Sequence, residues 1–130
     1  MIFSLAVYSA PFSSQASDSA YRFACALLSE GHKLHRVFFY QDGVHNANQL
    51  LTPPQDEPHL SKDWQQLALQ HDIDLVVCVA AALRRGILNQ EEANRYDQSS
   101  YNLAPGFEIS GLGQLLDAAL SSDRLITFGA

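Results

Sequence analysis

Cys78 is the residue with the most chemical reach in this sequence. It lies near the end of the apolar run Asp74-Leu75-Val76-Val77-Cys78-Val79, and the Ala-rich stretch Ala80-Ala81-Ala82-Leu83-Arg84-Arg85, closed by Gly86, follows at once. The run reads as a strand buried on both faces, and the stretch as a helix start. A thiol beside a helix N-terminus meets free backbone N–H groups and a dipole that favours the thiolate. Arg84 and Arg85 add positive potential a turn or two later. Such a thiolate is a nucleophile, or a carrier of sulfur as a persulfide. From position alone an inert small hydrophobe in a buried strand is at least as good a reading.

Other candidates are weaker. Cys25 shares a helix face with Tyr21 and Leu28 and reads as a packed core cysteine. His32 and His35 are three apart, but Gly31 ends the helix between them; His45, His59 and His71 are scattered. No HExxH or CxxC spacing is present, so no metal site is expected. Of the histidines, only His45 falls in a strand-end loop, where it could neighbour a site. Gly111-Leu112-Gly113 lies late in the chain, with Leu116 where a dinucleotide fingerprint needs glycine, and reads as a helix start. Ser9 to Ser19 holds no glycine for close approach to a phosphate. Glu91 and Glu92 read as a solvated helix face. No acidic residue ends the first or third strand, and no Ser-His-Asp signature is present.

The elements that must position these residues follow from periodicity. Ile2 to Tyr8 is a β-prone run; Ser9 to Ser19 is a loop ending in N-cap candidates; Ala16 to Glu30 places Ala20, Ala24, Leu27 and Leu28 at helical spacing. A second strand spans His35 to Tyr40. Gln41-Asp42-Gly43 is turn chemistry, and Val44 to Leu51 holds a helical turn. Thr52 to Pro58, with three prolines, is an exposed loop. Leu60, Trp64, Leu67 and Ala68 define a helix capped by Ser61 and ending near His71. After the Cys78 strand come a helix over Asn89 to Tyr96, a loop at Ser99 to Pro105 and a very short strand at Phe107 to Ile109. A helix over Gly111 to Leu120 follows, with Leu112, Leu115, Leu116, Ala119 and Leu120 on one face, then a strand at Arg124 to Phe128. The alternation implies an α/β, flavodoxin-like three-layer domain with a mostly parallel sheet of four or five strands. Reactive groups then lie beyond the carboxyl ends of the strands. Among loop residues, Val44, Leu50, Leu51 and Phe107 are interface candidates.

The chain has 130 residues, 47% of them hydrophobic and 17% charged, which fits one globular domain over 1–130. A chain of this size buries roughly two-thirds of its unfolded surface and needs no disulfide or metal to hold a core. Eight basic against fourteen acidic residues give a net charge of −6. That balance excludes phosphate-driven binding of nucleic acid and disfavours anionic membranes. No apolar run reaches the roughly 20 residues of a membrane span, and no basic flank marks a secretory signal. The expected location is the cytoplasm, with both thiols free.

Three stretches together resemble one family. They are Phe38-Phe39-Tyr40-Gln41-Asp42-Gly43-Val44-His45-Asn46-Ala47-Asn48-Gln49-Leu50, Cys78 to Gly86, and Phe107-Glu108-Ile109-Ser110-Gly111-Leu112-Gly113-Gln114-Leu115 with Ser122-Asp123-Arg124. The family is the DsrE-like sulfurtransferases, and the resemblance covers essentially the whole chain. It implies a flavodoxin-like fold and a persulfide-carrying cysteine, a role that transfers to Cys78 alone. It also implies a heterohexamer with TusB-like and TusC-like sister subunits, a TusA-like sulfur donor, a TusE-like acceptor, and use of the sulfur on the wobble uridine of tRNA. No cofactor or metal is expected. The groups expected to support Cys78 are the N–H groups of Val79, Ala80 and Ala81, and Arg84. Asn46 and Asn48 either line the rim or cap the local turn. The loop Tyr8 to Ser14 departs from the family pattern in lacking glycine. The rival readings are a structural subunit with an idle cysteine, and a flavin-binding module.

Overall fold

The computed structural model describes residues 1–129. Runs of β-branched, aromatic and aliphatic residues form five strands: β1 (Ile2–Val7), β2 (Lys33–Phe39), β3 (Asp74–Cys78), β4 (Phe107–Ser110) and β5 (Arg124–Phe128). The helices are α1 (Ala16–Ser29), α2 (Leu60–His71), α3 (Val79–Arg84), α4 (Gln90–Arg95) and α5 (Gly113–Ser121). A 3₁₀ segment spans Gln41–Ala47. The sheet order is β4-β3-β2-β1-β5, and every pairing is parallel. This is the flavodoxin-like α/β architecture expected, with five strands.

Side chains alternate across each strand. Leu5, Val7, Val37, Phe39, Leu75, Val77 and Phe107 share one face by register. That face carries α1 and α2, with Phe39 meeting Trp64 edge-on at 5.6 Å and Phe23 packed on Phe3 and Phe128. Ser4, Ala6, Arg36, Phe38, Val76 and Cys78 lie on the opposite face. There Arg36, only 7% exposed, donates to Asp74 (3.2 Å), to Asp117 (2.9 Å) and to the Gln114 carbonyl (2.9 Å). A buried guanidinium demands such acceptors, and here they tie β2, β3 and α5 together.

Several expectations need correction. β2 begins at Lys33, two residues early, because the chain reaches the sheet directly after α1. β3 ends at Cys78, so Val79 is the first residue of α3 rather than the last of the strand. α2 is capped by the His59 ring, which accepts from the Lys62 N–H, while Ser61 is buried in the first turn. Gln15 occupies the N-cap position of α1 without a side-chain hydrogen bond. The helical turn begins at Gln41 rather than Val44. α5 starts at Gly113, and the apolar face read for it is not buried: Leu112, Leu116 and Leu120 are 50, 63 and 78% exposed, and Ala118 alone is buried. Val44 and Phe107 sit in the core, so of the interface candidates Leu50 is exposed and Leu51 half-buried.

Candidate active site around Cys78

β3 lies between β2 and β4, so Cys78 ends an interior strand, paired in register with Ser110. Its backbone is extended (φ −63°, ψ 124°) and Val79 opens α3, which makes Cys78 the N-cap residue. The first-turn N–H groups of a helix, here from Val79 to Ala81, have no intrahelical acceptor. The thiol makes no capping hydrogen bond, is not in a disulfide and is 2% exposed. The arrangement is therefore an unengaged thiol beside amide donors, covered in the isolated chain.

The neighbouring strand-end loops are fastened to one another. The 3₁₀ segment crosses β1 so closely that a Cβ on Gly43 would collide with the Val7 carbonyl. Asn46 is fully buried; its amide donates to the Gly43 carbonyl (3.0 Å), to the Ser17 hydroxyl (3.1 Å) and, at 3.5 Å, to the Ser9 carbonyl. Asn46 thus fastens the turn to the first loop and is not on an exposed rim. Asn48 Oδ1 accepts from the Leu50 N–H (2.9 Å) and from Asn102 Nδ2 (3.2 Å), capping its own turn. Asn48 bonds within its own turn and to Asn102, and Asn46 bonds Gly43 in its turn and also Ser9 and Ser17 outside it. Asp42 accepts from Arg85 Nε at 2.7 Å, and that guanidinium holds the Asp42 carboxyl below its ordinary 3.8. This pair joins the 3₁₀ segment to the end of α3. Sequence reading missed it, since Asp42 registered only as a turn residue and no spacing rule links positions 43 apart.

Arg84 is not beside the thiol. It is exposed in the last turn of α3, about 9 Å along the helix from Cys78 at 1.5 Å per residue, and lines a groove of about 700 Å³. Cys25 is half-buried against the core. Burial first, and a hydrogen bond to Cys25 second, push the Tyr21 phenol from 10.0 to about 12. His32 bonds the N-terminal amine, His59 caps α2 and His45 is half-buried in the 3₁₀ segment. Among the described residues no three His, Cys, Asp or Glu side chains cluster as metal ligands, and no helix is long and apolar enough to cross a membrane.

The chain is similar to known proteins along nearly its whole length. The DsrE/DsrF-like family model matches residues 1–128. A protein called DsrE from Allochromatium vinosum is 54% identical over 99% of both chains. Chains called "Sulfurtransferase TusD homolog" are 48% identical in Aliivibrio fischeri (98% of both chains) and 51% in Vibrio vulnificus (97% of this chain, 96% of that one). The crystal structure of the YchN protein from E. coli superposes with a TM-score of 0.76 at 23% identity, covering 98% of this chain and 100% of that one, which speaks for the fold. The chain belongs to the DsrE/DsrF-like family. Its activity class is that of a sulfurtransferase.

Proposed function

We propose that Cys78 accepts sulfur as a persulfide and passes it on in the 2-thiolation of the tRNA wobble uridine. The Cys78 thiolate attacks the outer sulfur of a donor persulfide. One S–S bond forms, the donor's S–S bond breaks, and the donor leaves as a thiolate. The acceptor's thiolate then attacks the outer sulfur on Cys78 and releases the Cys78 thiolate, with no net oxidation. The observation that carries this reading is the placement of a free thiol, bonded to nothing, at the N-cap of α3. There the first-turn N–H groups of Val79, Ala80 and Ala81 have no intrahelical acceptor and lie beside the sulfur.

The partners in this reading are those the family resemblance implies: TusB-like and TusC-like sisters in a heterohexamer, a TusA-like donor and a TusE-like acceptor. The open leucine face of α5 supports assembly with sister subunits, because a contiguous apolar patch on a soluble chain marks an interaction surface. The net charge of −6 supports a chain that hands sulfur to a protein and leaves the RNA to a later one.

A second reading, a structural subunit with an idle cysteine, is favoured by the 2% exposure of Cys78. Radiolabelled sulfur loaded on the assembled protein separates the two. The carrier reading expects the label to move to the TusE-like acceptor and the Cys78→Ser variant to move none; equal transfer by that variant sinks it.

A further inference from the structure

We propose that the groove at the far end of α3 is the docking site for an extended segment of the protein that takes sulfur from Cys78. That segment carries a carboxylate flanked by apolar side chains. The proposal rests on the carrier reading above.

The groove is lined by Leu50, Leu83, Arg84, Leu88, Tyr96 and Tyr101 among others, and holds about 700 Å³. Leu50, Tyr96 and Tyr101 are 71, 55 and 52% exposed. Aromatic side chains left in water around a concavity, beside an arginine, are the composition of protein contact centres.

Charge identifies the occupant. Arg22 pairs with Asp18, Arg36 with Asp74 and Asp117, Arg85 with Asp42 and Arg95 with Glu92. Arg124 donates to the Asp123 carbonyl. Arg84 alone of the arginines has no acceptor among the described residues. In a chain of net charge −6, an unpaired guanidinium beside apolar walls fits a carboxylate, which it binds through two parallel hydrogen bonds. A nucleic acid would need a row of cations instead of one.

The walls are braced before anything binds. Asn102 Oδ1 accepts from the Leu88 N–H at 3.0 Å, and the Asn102 and Leu103 N–H groups both donate to the Leu88 carbonyl at 3.0 and 2.9 Å. A preformed groove lowers the cost of ordering on binding. Position supplies the purpose: an extended chain advances about 3.3 Å per residue. A docked segment seated on Arg84 thus needs only about three further extended residues to cover the distance along α3 to Cys78.

The test is calorimetric titration of the TusE-like acceptor into the full chain with its sister subunits. Cys78→Ser is used throughout so that no sulfur moves. We expect Arg84→Glu to weaken binding at least about tenfold, Arg84→Lys to weaken it less, and Tyr101→Ala to weaken it independently of salt. Added salt weakens the parent more than Arg84→Ala. Parent-like affinity in both Arg84→Glu and Tyr101→Ala overturns the proposal. So does a groove that takes glutathione or a sister subunit but not the acceptor. Sulfur loading of the parent thiol, measured separately, keeps the two claims apart. Loss of binding in Arg84→Glu with no loading at Cys78 removes the carrier reading and leaves the groove. Loading and transfer with unchanged binding removes the groove alone.

Discussion

The two free thiols of this chain differ in what surrounds them. Cys78 ends an interior strand beside the first turn of a helix, while Cys25 lies within α1 against the Tyr21 hydroxyl. The Tyr21 phenol, held protonated first by burial and then by Cys25, makes a prediction of its own. Folded Tyr21 keeps its proton to about pH 12, whereas the unfolded phenol releases it near 10.0. The folded state then binds more protons across that window, so stability falls as pH rises from 10.0 to about 12. Denaturant titrations of Tyr21→Phe should show a flatter alkaline limb than the parent; an identical limb contradicts the assignment. Cys78 was legible as the reactive candidate because an apolar run followed by alanines signals a strand–helix junction. Its burial, at 2% exposure, was not legible, because it depends on how elements distant in sequence pack in the fold.

At the scale of elements, the strand-end loops hold the site. Gly43 permits the 3₁₀ segment to cross β1, and Asn46 and Asp42 then fix it to the first loop and to α3. Gly43→Ala forces the Cβ into the Val7 carbonyl. An overpacked close approach of this kind costs about 1–3 kcal/mol, read as a lower denaturant midpoint. An unchanged midpoint would mean that the segment shifts freely. Helices α1 and α2 and all five strands were legible from period and composition. Their ends were less so: the His59 cap on α2 uses a ring nitrogen where pattern reading favours the hydroxyl of Ser61. Gly86, at φ +74°, closes α3 as its position suggested. The Asp42–Arg85 pair was invisible, since only the folded chain brings those positions together.

For the whole molecule, α5 carries the informative discrepancy. Its leucines repeat at helical spacing, which from sequence alone means a face turned to the core. In the fold, α5 is anchored by Ala118, half-buried Leu115 and the Arg36–Asp117 pair, and Leu112, Leu116 and Leu120 are left outward. Periodicity reports that a face is apolar, not which molecule covers it. If sister subunits cover it, the double substitution Leu116→Asp and Leu120→Asp should abolish co-purification with them while leaving the circular dichroism spectrum unchanged. Retained assembly would place the contact elsewhere.

Whether Cys78 carries sulfur is decided by intact-protein mass spectrometry. The assembled protein is incubated with a cysteine desulfurase, cysteine and the TusA-like donor, then weighed with and without reductant. A sulfur carrier at Cys78 shows a reductant-labile gain of one sulfur in the parent and in Cys25→Ser, and none in Cys78→Ser. A gain that survives Cys78→Ser, or no gain in folded and assembled parent protein, would contradict that role.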